Sequence, residues 1–567
     1  MKTVLLVAIN AKYAHTNPAV RYLCKAANRS SVRFCEYTIN MKEEDILRHI
    51  LEQAPAACCF STYIWNIRLC KRLAARLKEK GIFILMGGPE ATYSYASLLE
   101  EGAADQVMLG EGESAFPAWV DQWEKEKNWA EVPSLAYLSE GSICKTPMAQ
   151  PVRLDDLPQP YEDLSGLKGR IVYYESSRGC PFRCSYCLSS IHPGVRMAGV
   201  EKVMADLDAF RDAGIMKVKF VDRTFNADPH RAKEIFRRII EKGGRTGFHF
   251  EIAADLLDEE TAHLLAKAPA GLIQLEIGVQ STYEPTLKAI RRRQDFAHNA
   301  KMVDIIRRGG GVNLHLDLIA GLPLEDLQNF GRSFDDVIGT RAQQVQLGFL
   351  KVLKGSAMEK DAGKYGICWS DKAPYEVQKT DSINAIELGL LHRVEYLLDR
   401  TYNSGLFVNA VRGFGQHFGS CFAMYLALDK WLEEQQIDAH GLKEGQLAEA
   451  LLQFGQTHGV PFARDLVRLD VLSRSFRPRL PDLLEDDDPA HAQLRREFFA
   501  ALPPEEMPLL PRGKRPWHFA RLEWFSMDVA AWEEKGELCA CPQVLLFDYT
   551  TGQKKNCPND FLFEQPL

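Results

Sequence analysis

Short apolar runs alternate with helix-like stretches in two separate rounds along this chain. The first round contains the runs TVLLVAI, AACCFSTYI and GIFILMGG, which are separated by stretches such as PAVRYLCKAA and IRLCKRLAARLKEK. Parallel strands need a crossover connection, usually a helix, so this alternation predicts a parallel, doubly wound sheet. We therefore predict an α/β fold that begins with a Rossmann-like domain at residues 1–130 and continues through a linker at residues 131–168, in which SLAYLSEGSICKTP predicts a hairpin.

The second round begins near residue 170 and has a longer period. Its six apolar runs are IVYYES, MKVKFVD, FHFEIAAD, LIQLEIGVQS, VNLHLDLIAGLP and VQLGFLKVL. Six strand and helix units predict a partial (β/α)6 barrel over residues 169–370, with its chemistry at the carboxyl ends of the strands. From about residue 375 amphipathic helices replace the strands, which predicts a mostly helical C-terminal accessory domain at residues 371–567.

Composition and hydropathy exclude several classes of protein. The chain has 567 residues, enough for two to four domains, and its 69 Lys and Arg against 76 Asp and Glu give a formal net charge of -7. This balance gives no reason to expect a nucleic-acid or membrane surface. The N-terminal MKTVLLVAIN lacks a signal-peptide cleavage site, and no apolar run reaches the roughly 18 residues of a spanning helix. We expect a cytoplasmic protein.

Three of the fourteen cysteines are clustered in RGCPFRCSYC, after the first predicted barrel strand: Cys180, Cys184 and Cys187. A zinc site would need a fourth ligand, which Cys539, Cys541 or His192 could supply in space. Three thiolates on one loop also suit an iron-sulfur cluster with one iron left open, since such clusters normally take four cysteines. The spacing alone leaves both kinds of site open.

The Cys-x3-Cys-x2-Cys spacing, with the aromatic Tyr186 before the last cysteine, resembles the signature of the radical S-adenosylmethionine (SAM) enzymes. The resemblance covers roughly residues 170–355. It implies that the three cysteines bind a [4Fe-4S] cluster and that SAM chelates the open iron. One-electron reduction would then cleave SAM to methionine and a 5′-deoxyadenosyl radical.

Three later motifs, FVDRTFN, EIGVQS and DLIAGLP, follow the second, fourth and fifth barrel strands. They resemble the SAM-binding positions of the family, although the familiar Gly-Gly-Glu motif is absent. The residues that this implies are Asp222 and Arg223 for the SAM amino group, Glu276, Gln280 and Ser281 for its ribose and carboxylate, and Asp317 in the fifth-strand motif.

The first domain lacks a dinucleotide fingerprint, because AINAKYAHTNPA follows its first strand instead of Gly-x-Gly-x-x-Gly. Its loops FSTYIWN, MGGPE and LGEGE resemble those of the cobalamin-binding domain that precedes the barrel in one class of radical SAM enzymes. The residues implied to approach the corrin and its nucleotide tail are Ser61, Tyr63, Gly87, Gly88, Gly110, Glu111, Gly112 and Glu113. The usual Asp-x-His-x-x-Gly motif is missing, so His15 is a candidate for the lower cobalt ligand or for a nearby hydrogen-bonding group only.

The resemblance implies an oxygen-sensitive enzyme that methylates an unactivated carbon with methylcobalamin. Its substrate would be a small or natural-product-like molecule, and its electron donor would be a protein such as a flavodoxin or ferredoxin. Two alternatives stay open: a radical SAM enzyme that rearranges, cyclises or thiolates its substrate without methylation, and a non-catalytic protein that binds cobalamin or a metal. The arginines of IRRR, residues 290–293, are interpreted as a solvated helix end.

Overall fold

The computed structural model describes residues 3–125, 127–161, 164–191, 194–474, 479–486, 488–501, 519–549 and 553–556. The chain forms two compact units. The first unit comprises residues 1–330, 340–342 and 347–388, and the second comprises residues 331–339, 343–346 and 389–567. His192, one of the candidate zinc ligands, lies outside the described residues.

The first sheet has seven strands in the order β2-β1-β3-β4-β5-β6-β7. The strands are β1 Val4–Asn10, β2 Val32–Thr38, β3 Ala57–Ser61, β4 Phe83–Gly87, β5 Gln106–Met108, β6 Leu135–Ser139 and β7 Ser142–Lys145. Strands β1 to β5 pair in parallel, whereas β6 and β7 form an antiparallel hairpin that pairs with β5. The hairpin therefore extends this sheet, although its sequence lies in the predicted linker. The other predicted domain boundaries stay a prediction.

Helices cover both faces of the first sheet: α1 Pro18–Ala27, α2 Glu43–Glu52, α3 Ile67–Lys78, α4 Pro89–Glu100 and α5 Ala115–Glu124. Every residue of β1 is buried, as expected for a central parallel strand covered on two sides. One hydrophobic cluster contains Leu73 of α3, and the opposite cluster contains Trp119 of α5. The predicted doubly wound architecture is confirmed.

The second sheet has six strands in the order β15-β14-β13-β12-β11-β8. The strands are β8 Ile171–Tyr174, β11 Lys217–Phe220, β12 Gly247–Ile252, β13 Ile273–Gln280, β14 Asn313–Ala320 and β15 Gln344–Phe349. The helices are α6 Val200–Asp212, α7 Pro229–Lys242, α8 Glu259–Ala266, α9 Glu284–Ala289, α10 Phe296–Gly309, α11 Leu327–Gly339 and α12 Ala357–Asp361. Strands β8 and β11 to β14 pair in parallel, which confirms the predicted partial barrel.

Two features connect the sheets of the first unit. A short antiparallel hairpin, β9 Ser177–Cys180 and β10 Gly194–Met197, follows β8. The loop after β1 pairs in parallel with the start of β8 through His15 and Ile171. The Ile171 N–H donates to Ala14 O at 2.7 Å, and the Thr16 N–H donates to Ile171 O at 3.3 Å. Thus the first domain supplies a piece of extended chain at the β8 edge of the barrel.

The rest of the chain contains two further small strands, β16 Cys368–Trp369 and β17 Val377–Lys379, and then mainly helices. The helices are α13 Ala385–Leu398, α14 Val408–His417, α15 Cys421–Glu434, α16 Glu444–Thr457, α17 Ala463–Leu472, α18 Pro489–Ala501 and α19 Val529–Lys535. Three antiparallel strands accompany them: β18 Ala520–Met527, β19 Ala540–Asp548 and β20 Gln553–Asn556. The predicted helical C-terminal region is confirmed.

No helix in the described parts of the chain has both the length and the apolar character needed to cross a bilayer.

Candidate functional site

The three clustered cysteines lie on one loop that starts at the end of β9. All three are free thiols; Cys184 is buried, and Cys180 and Cys187 are partly buried. The hairpin requires a glycine at position 179, because its φ is 109° and a Cβ there would lie 2.2 Å from Gly194 O. Burial raises the pKa of the Cys180 thiol, so a thiolate at this position needs a cation or metal to stabilise it.

The donor chemistry of this loop fits an iron-sulfur cluster. Three soft sulfur ligands on one loop are the set that holds such a cluster with one iron open. Within the described residues, no three His, Cys, Asp or Glu side chains are already arranged around a common point as in a preformed metal site. Cys539 and Cys541, the other candidate zinc ligands, are exposed thiols of the second unit.

Asp222, which follows β11, is completely buried and holds the chain just before the cysteine loop. Its carboxylate accepts hydrogen bonds from the Ser176 N–H at 2.8 Å, the Ser176 hydroxyl at 2.6 Å and the Ser177 hydroxyl at 2.6 Å. Burial raises the pKa of Asp222, and these donors oppose that rise. The arrangement indicates a positioning role, and the contact with the SAM amino group stays a prediction.

The contact of Arg223 with the SAM amino group stays a prediction, and the side chain alone would not make it. A guanidinium has only donors, so it cannot accept a hydrogen bond from the ammonium of SAM. Its side chain is 57% exposed, and its nearest ionic partner is Glu251 at 3.7 Å.

Glu276 lies on the inward face of β13, where a lysine and a histidine come together. His249 Nε2 lies 2.8 Å and Lys219 Nζ lies 3.1 Å from Glu276 Oε2. Burial disfavours ionisation of Glu276, but the hydrogen bond from His249 and the charge of Lys219 outweigh it and lower its pKa to about 2. Burial also lowers the pKa of His249. A neutral His249 therefore donates from Nε2 to an ionised Glu276.

Two side-chain oxygens, one at the end of β13 and one within β14, are available to a ligand. Gln280 Oε1 and Asp317 Oδ1 are both buried and make no hydrogen bond within the part of the chain that the structure describes. Burial, together with the charges of Glu276 and Glu251, raises the pKa of Asp317 well above its usual range. Ser281 differs from these two, because its hydroxyl donates to Glu325 Oε1 at 2.6 Å inside the protein.

Sequence reasoning missed four polar residues of this region: Lys219, His249, Glu251 and Arg292. The first three occupy inward positions of MKVKFVD and FHFEI, and the alternation of polar and apolar residues in these strands was a signal that could have found them. Arg292 was predicted to be solvated, and this prediction is wrong. Its Nη2 donates to Gly278 O, and its Nη1 lies 3.8 Å from Cys184 Sγ.

The loops of the first domain form the carboxyl edge of the first sheet. Ser61 is buried at the end of β3. Tyr63 stacks on Trp65 with ring centroids 4.3 Å apart. Gly88, next to Gly87 at the end of β4, has φ 101°, and a Cβ there would lie 2.6 Å from Thr62 O. The close approach of these two loops therefore depends on glycine.

The carboxylates of the LGEGE loop point toward the hairpin that carries Cys180. Glu113 pairs with Arg178 at 2.6 Å, and Glu111 pairs with Arg178 at 3.0 Å and also with Arg196. Gly110 has φ 67°, and a Cβ at Gly112 would lie 2.8 Å from the Leu23 side chain. These ion pairs indicate that the two glutamates join the first domain to the barrel, while a contact of this loop with cobalamin stays a prediction.

His15 faces the barrel. Its ring packs edge-on against Tyr173, with centroids 5.3 Å apart. Burial lowers the pKa of His15, and the nearby Lys12, Lys219 and Arg170 lower it further. The ring thus contacts β8, and its role as a cobalt ligand or as a hydrogen-bonding group stays a prediction.

Family models match three parts of the chain. Residues 4–120 match the B12 binding domain, residues 174–337 match the radical SAM superfamily, and residues 363–547 match a protein family of unknown function, DUF4080.

Several curated proteins are related to parts of this chain. The hopanoid C-3 methylase of Methylococcus capsulatus is 30% identical over 49% of this chain and 55% of its own length. An anaerobic magnesium-protoporphyrin IX monomethyl ester cyclase of Rubrivivax gelatinosus is 24% identical over 55% of this chain and 59% of its own length. The chain spans about half the length of the curated relatives it matches.

Among solved structures, the cobalamin-dependent SAM radical enzyme OxsB, with aqua-cobalamin and SAM bound, matches with a TM-score of 0.60. The sequence identity is 15%, and the match covers 82% of this chain and 80% of OxsB. This likeness shows a shared fold.

Proposed function

We propose that this chain, which belongs to the radical SAM superfamily and carries a B12 binding domain ahead of its barrel, is a cobalamin-dependent methyltransferase. It would cleave SAM reductively to a 5′-deoxyadenosyl radical and methylate an unactivated carbon of its substrate. The observation that carries this proposal is the single loop with Cys180, Cys184 and Cys187, whose hairpin is tied by ion pairs to the carboxyl edge of the first sheet.

The three cysteines would hold a [4Fe-4S] cluster, and the edge of the first sheet would hold cobalamin. When bound, the cluster supplies the electron for SAM cleavage and methylcobalamin supplies the methyl group. At the first sheet, the residues that fit cobalamin best are Ser61, Tyr63, Gly87 and Gly88, since Glu111, Glu113 and His15 already contact the barrel.

The barrel residues contribute binding and orientation. Ionised Glu276, fixed by His249 and Lys219, is an acceptor for the ribose hydroxyls of SAM. Gln280 Oε1 and Asp317 Oδ1 offer further hydrogen-bonding positions nearby. Asp222 keeps Ser176 and Ser177 in place, so the cysteine loop starts from a rigid position.

A second candidate function is a radical reaction without methyl transfer. Its support is the relative that is a magnesium-protoporphyrin IX monomethyl ester cyclase, together with the contact of His15 with the barrel. Both candidates share the cysteine loop and the SAM-binding residues. They differ in whether a methyl group from SAM appears in the product.

The partners follow from the chemistry. We propose a small-molecule substrate and a low-potential electron donor such as a flavodoxin or ferredoxin. A cluster with an open iron needs a reducing, oxygen-poor environment, which supports a cytoplasmic location.

Anaerobic metal analysis tests the proposal. We expect four irons and one cobalt per chain after reconstitution, with an EPR spectrum of the reduced cluster that changes when SAM is added. The triple variant with Cys180, Cys184 and Cys187 changed to Ala should lose the iron. A matched control changes three cysteines elsewhere in the first unit, Cys35, Cys144 and Cys368, and should keep it.

Zinc in place of iron, or a cluster that is indifferent to SAM, would rule out radical SAM chemistry and leave a binding protein. Iron without cobalt, with 5′-deoxyadenosine formed from SAM, would favour the reaction without methyl transfer.

A further inference from the structure

Arg223 is a cation at the carboxyl edge of the barrel whose donors make no hydrogen bond within the described residues. It lies three positions after the end of β11, and the neighbouring Thr224 hydroxyl lies 3.3 Å from Cys180 Sγ. The guanidinium makes no hydrogen bond to any residue that the structure describes, and its side chain is 57% exposed. Its donors are therefore open to a ligand or to water.

The surroundings of Arg223 come from three elements. Glu251 of β12 lies 3.7 Å away. Cys187 of the cysteine loop and Tyr63 of the loop after β3 lie within electrostatic range of the guanidinium. Arg223 therefore stands where the cysteine loop and the edge of the first sheet come close together, which is where a molecule acted on by both would lie.

Glu251 does not satisfy the hydrogen-bond donors of Arg223. At 3.7 Å the pair lacks the short, parallel geometry of a bidentate arginine and carboxylate contact. Glu251 is also shared with Lys219, which lies 4.0 Å away. Lys219 itself is bonded to Glu276 at 3.1 Å, whereas no hydrogen bond of the Arg223 guanidinium lies within the described residues.

We propose that Arg223 binds an oxyanion of the substrate, a carboxylate or a phosphate, and that the substrate of this enzyme is accordingly an anionic small molecule. The proposal rests on the proposed function for the existence of a substrate site. The planar guanidinium matches both oxyanions with two parallel hydrogen bonds, so the two are one recognition chemistry. The carboxylate of SAM has the same chemistry, and the experiment must separate it from a substrate anion.

Equilibrium dialysis with radiolabelled inorganic phosphate on the anaerobic, cluster-loaded full chain tests the proposal. Arg223→Gln should weaken phosphate binding roughly tenfold, since a charge-assisted hydrogen-bonded contact is lost. Arg223→Lys should retain part of the affinity. Glu251→Gln should tighten binding about threefold, because it removes the competing carboxylate and keeps the shape. Arg245→Gln, an exposed arginine before β12, is the matched control and should bind like the wild type.

A second arm repeats the dialysis with saturating SAM present and measures SAM binding to each variant. The proposal expects phosphate still to bind beside SAM, and SAM affinity to be unchanged by Arg223→Gln. If SAM displaces phosphate and the variant loses SAM affinity, the anion is the SAM carboxylate and the inference about substrate is overturned. Equal phosphate binding to the wild type and Arg223→Gln overturns it as well.

Iron content and the EPR response to SAM, measured on the same samples, keep this test separate from the proposed function. A loaded cluster that responds to SAM, with phosphate binding indifferent to position 223, defeats only the inference about Arg223. A chain without a SAM-responsive cluster defeats the proposed function, whatever phosphate does. Circular dichroism of each variant excludes unfolding as the cause of lost binding.

Discussion

At the scale of single residues, the region around the cysteine loop is organised by charge. Arg292 reaches Cys184 Sγ, Lys219 and His249 hold Glu276, and Asp222 binds the serines before the loop. Each of these contacts satisfies a charge or a polar atom that burial would otherwise penalise. The interactions place positive charge beside sulfur and negative charge inside the barrel.

Changing Arg292 should alter the cluster rather than the fold. A hydrogen bond and a positive charge at a ligating sulfur stabilise the reduced, more negative cluster. We expect Arg292→Gln to move the midpoint potential to more negative values, by some tens of millivolts, in an EPR-monitored redox titration. Arg293→Gln is the control, because Arg293 is the exposed neighbour. The same shift in both variants would contradict the assignment.

The ionisation of Glu276 should make the stability of the folded chain depend on pH. Its pKa in the folded chain is about 2, below the 4.5 of an unperturbed glutamate. Its contribution is therefore complete above about pH 4.5 and is lost as the pH falls toward 2. We expect the melting temperature of Glu276→Gln to lie below that of the wild type at pH 6 and to approach it near pH 3, as measured by circular dichroism on the apo chain. A difference that stays constant over this range would mean that Glu276 acts only by its shape.

At the scale of elements, strands were easier to predict than the contacts of the loops after them. The apolar runs and their alternation specify β1 to β5 and the barrel strands, because burial on both faces requires such sequences. The resemblance singled out the loops after these strands, but not what their side chains touch. Glu113 pairs with Arg178, 65 positions later, and no local pattern encodes such a distant partner.

The same limit explains the other differences. The segment SLAYLSEGSICKTP predicts the hairpin of β6 and β7, but only tertiary pairing with β5 makes it part of the first sheet. The sequence predicts a solvated Arg292, because its two neighbours are exposed arginines. No local pattern indicates that its side chain turns toward Cys184.

The pair of Glu113 and Arg178 should hold the β9 and β10 hairpin. Both side chains are at most one-fifth exposed, at 9% and 20%, so the pair is screened less than a surface ion pair. We expect Glu113→Gln to speed amide hydrogen exchange across residues 177–180, with a double-mutant cycle with Arg178→Gln giving about 1 kcal/mol of coupling or more. The control is Glu101→Gln, which breaks the exposed pair with Lys71 and should leave exchange in the hairpin unchanged. An equal change of amide hydrogen exchange in the hairpin for both variants would refute the role of the Glu113 and Arg178 pair in holding it.

At the scale of the whole molecule, the two proposed cofactor positions depend on different sheets. The edge of the first sheet is set by β3 and β4, which are buried in their own hydrophobic clusters. The cysteine loop depends on β8 and β11, through Ser176 and Asp222. The ion pairs of the LGEGE loop connect the two positions, but neither position borrows its binding groups from the other sheet. Loading of one cofactor should therefore survive loss of the other.

Loading experiments on two variants test this independence. The triple cysteine variant should lose iron and still retain cobalamin after desalting, since it leaves β3 and β4 intact. Gly88→Ala should do the reverse, because its Cβ would meet Thr62 O at 2.6 Å and disturb only the edge of the first sheet. Gly81→Ala is the control, since Gly81 also has positive φ, at 75°, but a Cβ there meets nothing within 4 Å. Loss of both cofactors from either variant would show instead that the two sites form as one cooperative unit, because each sheet edge would then need the other to be ordered.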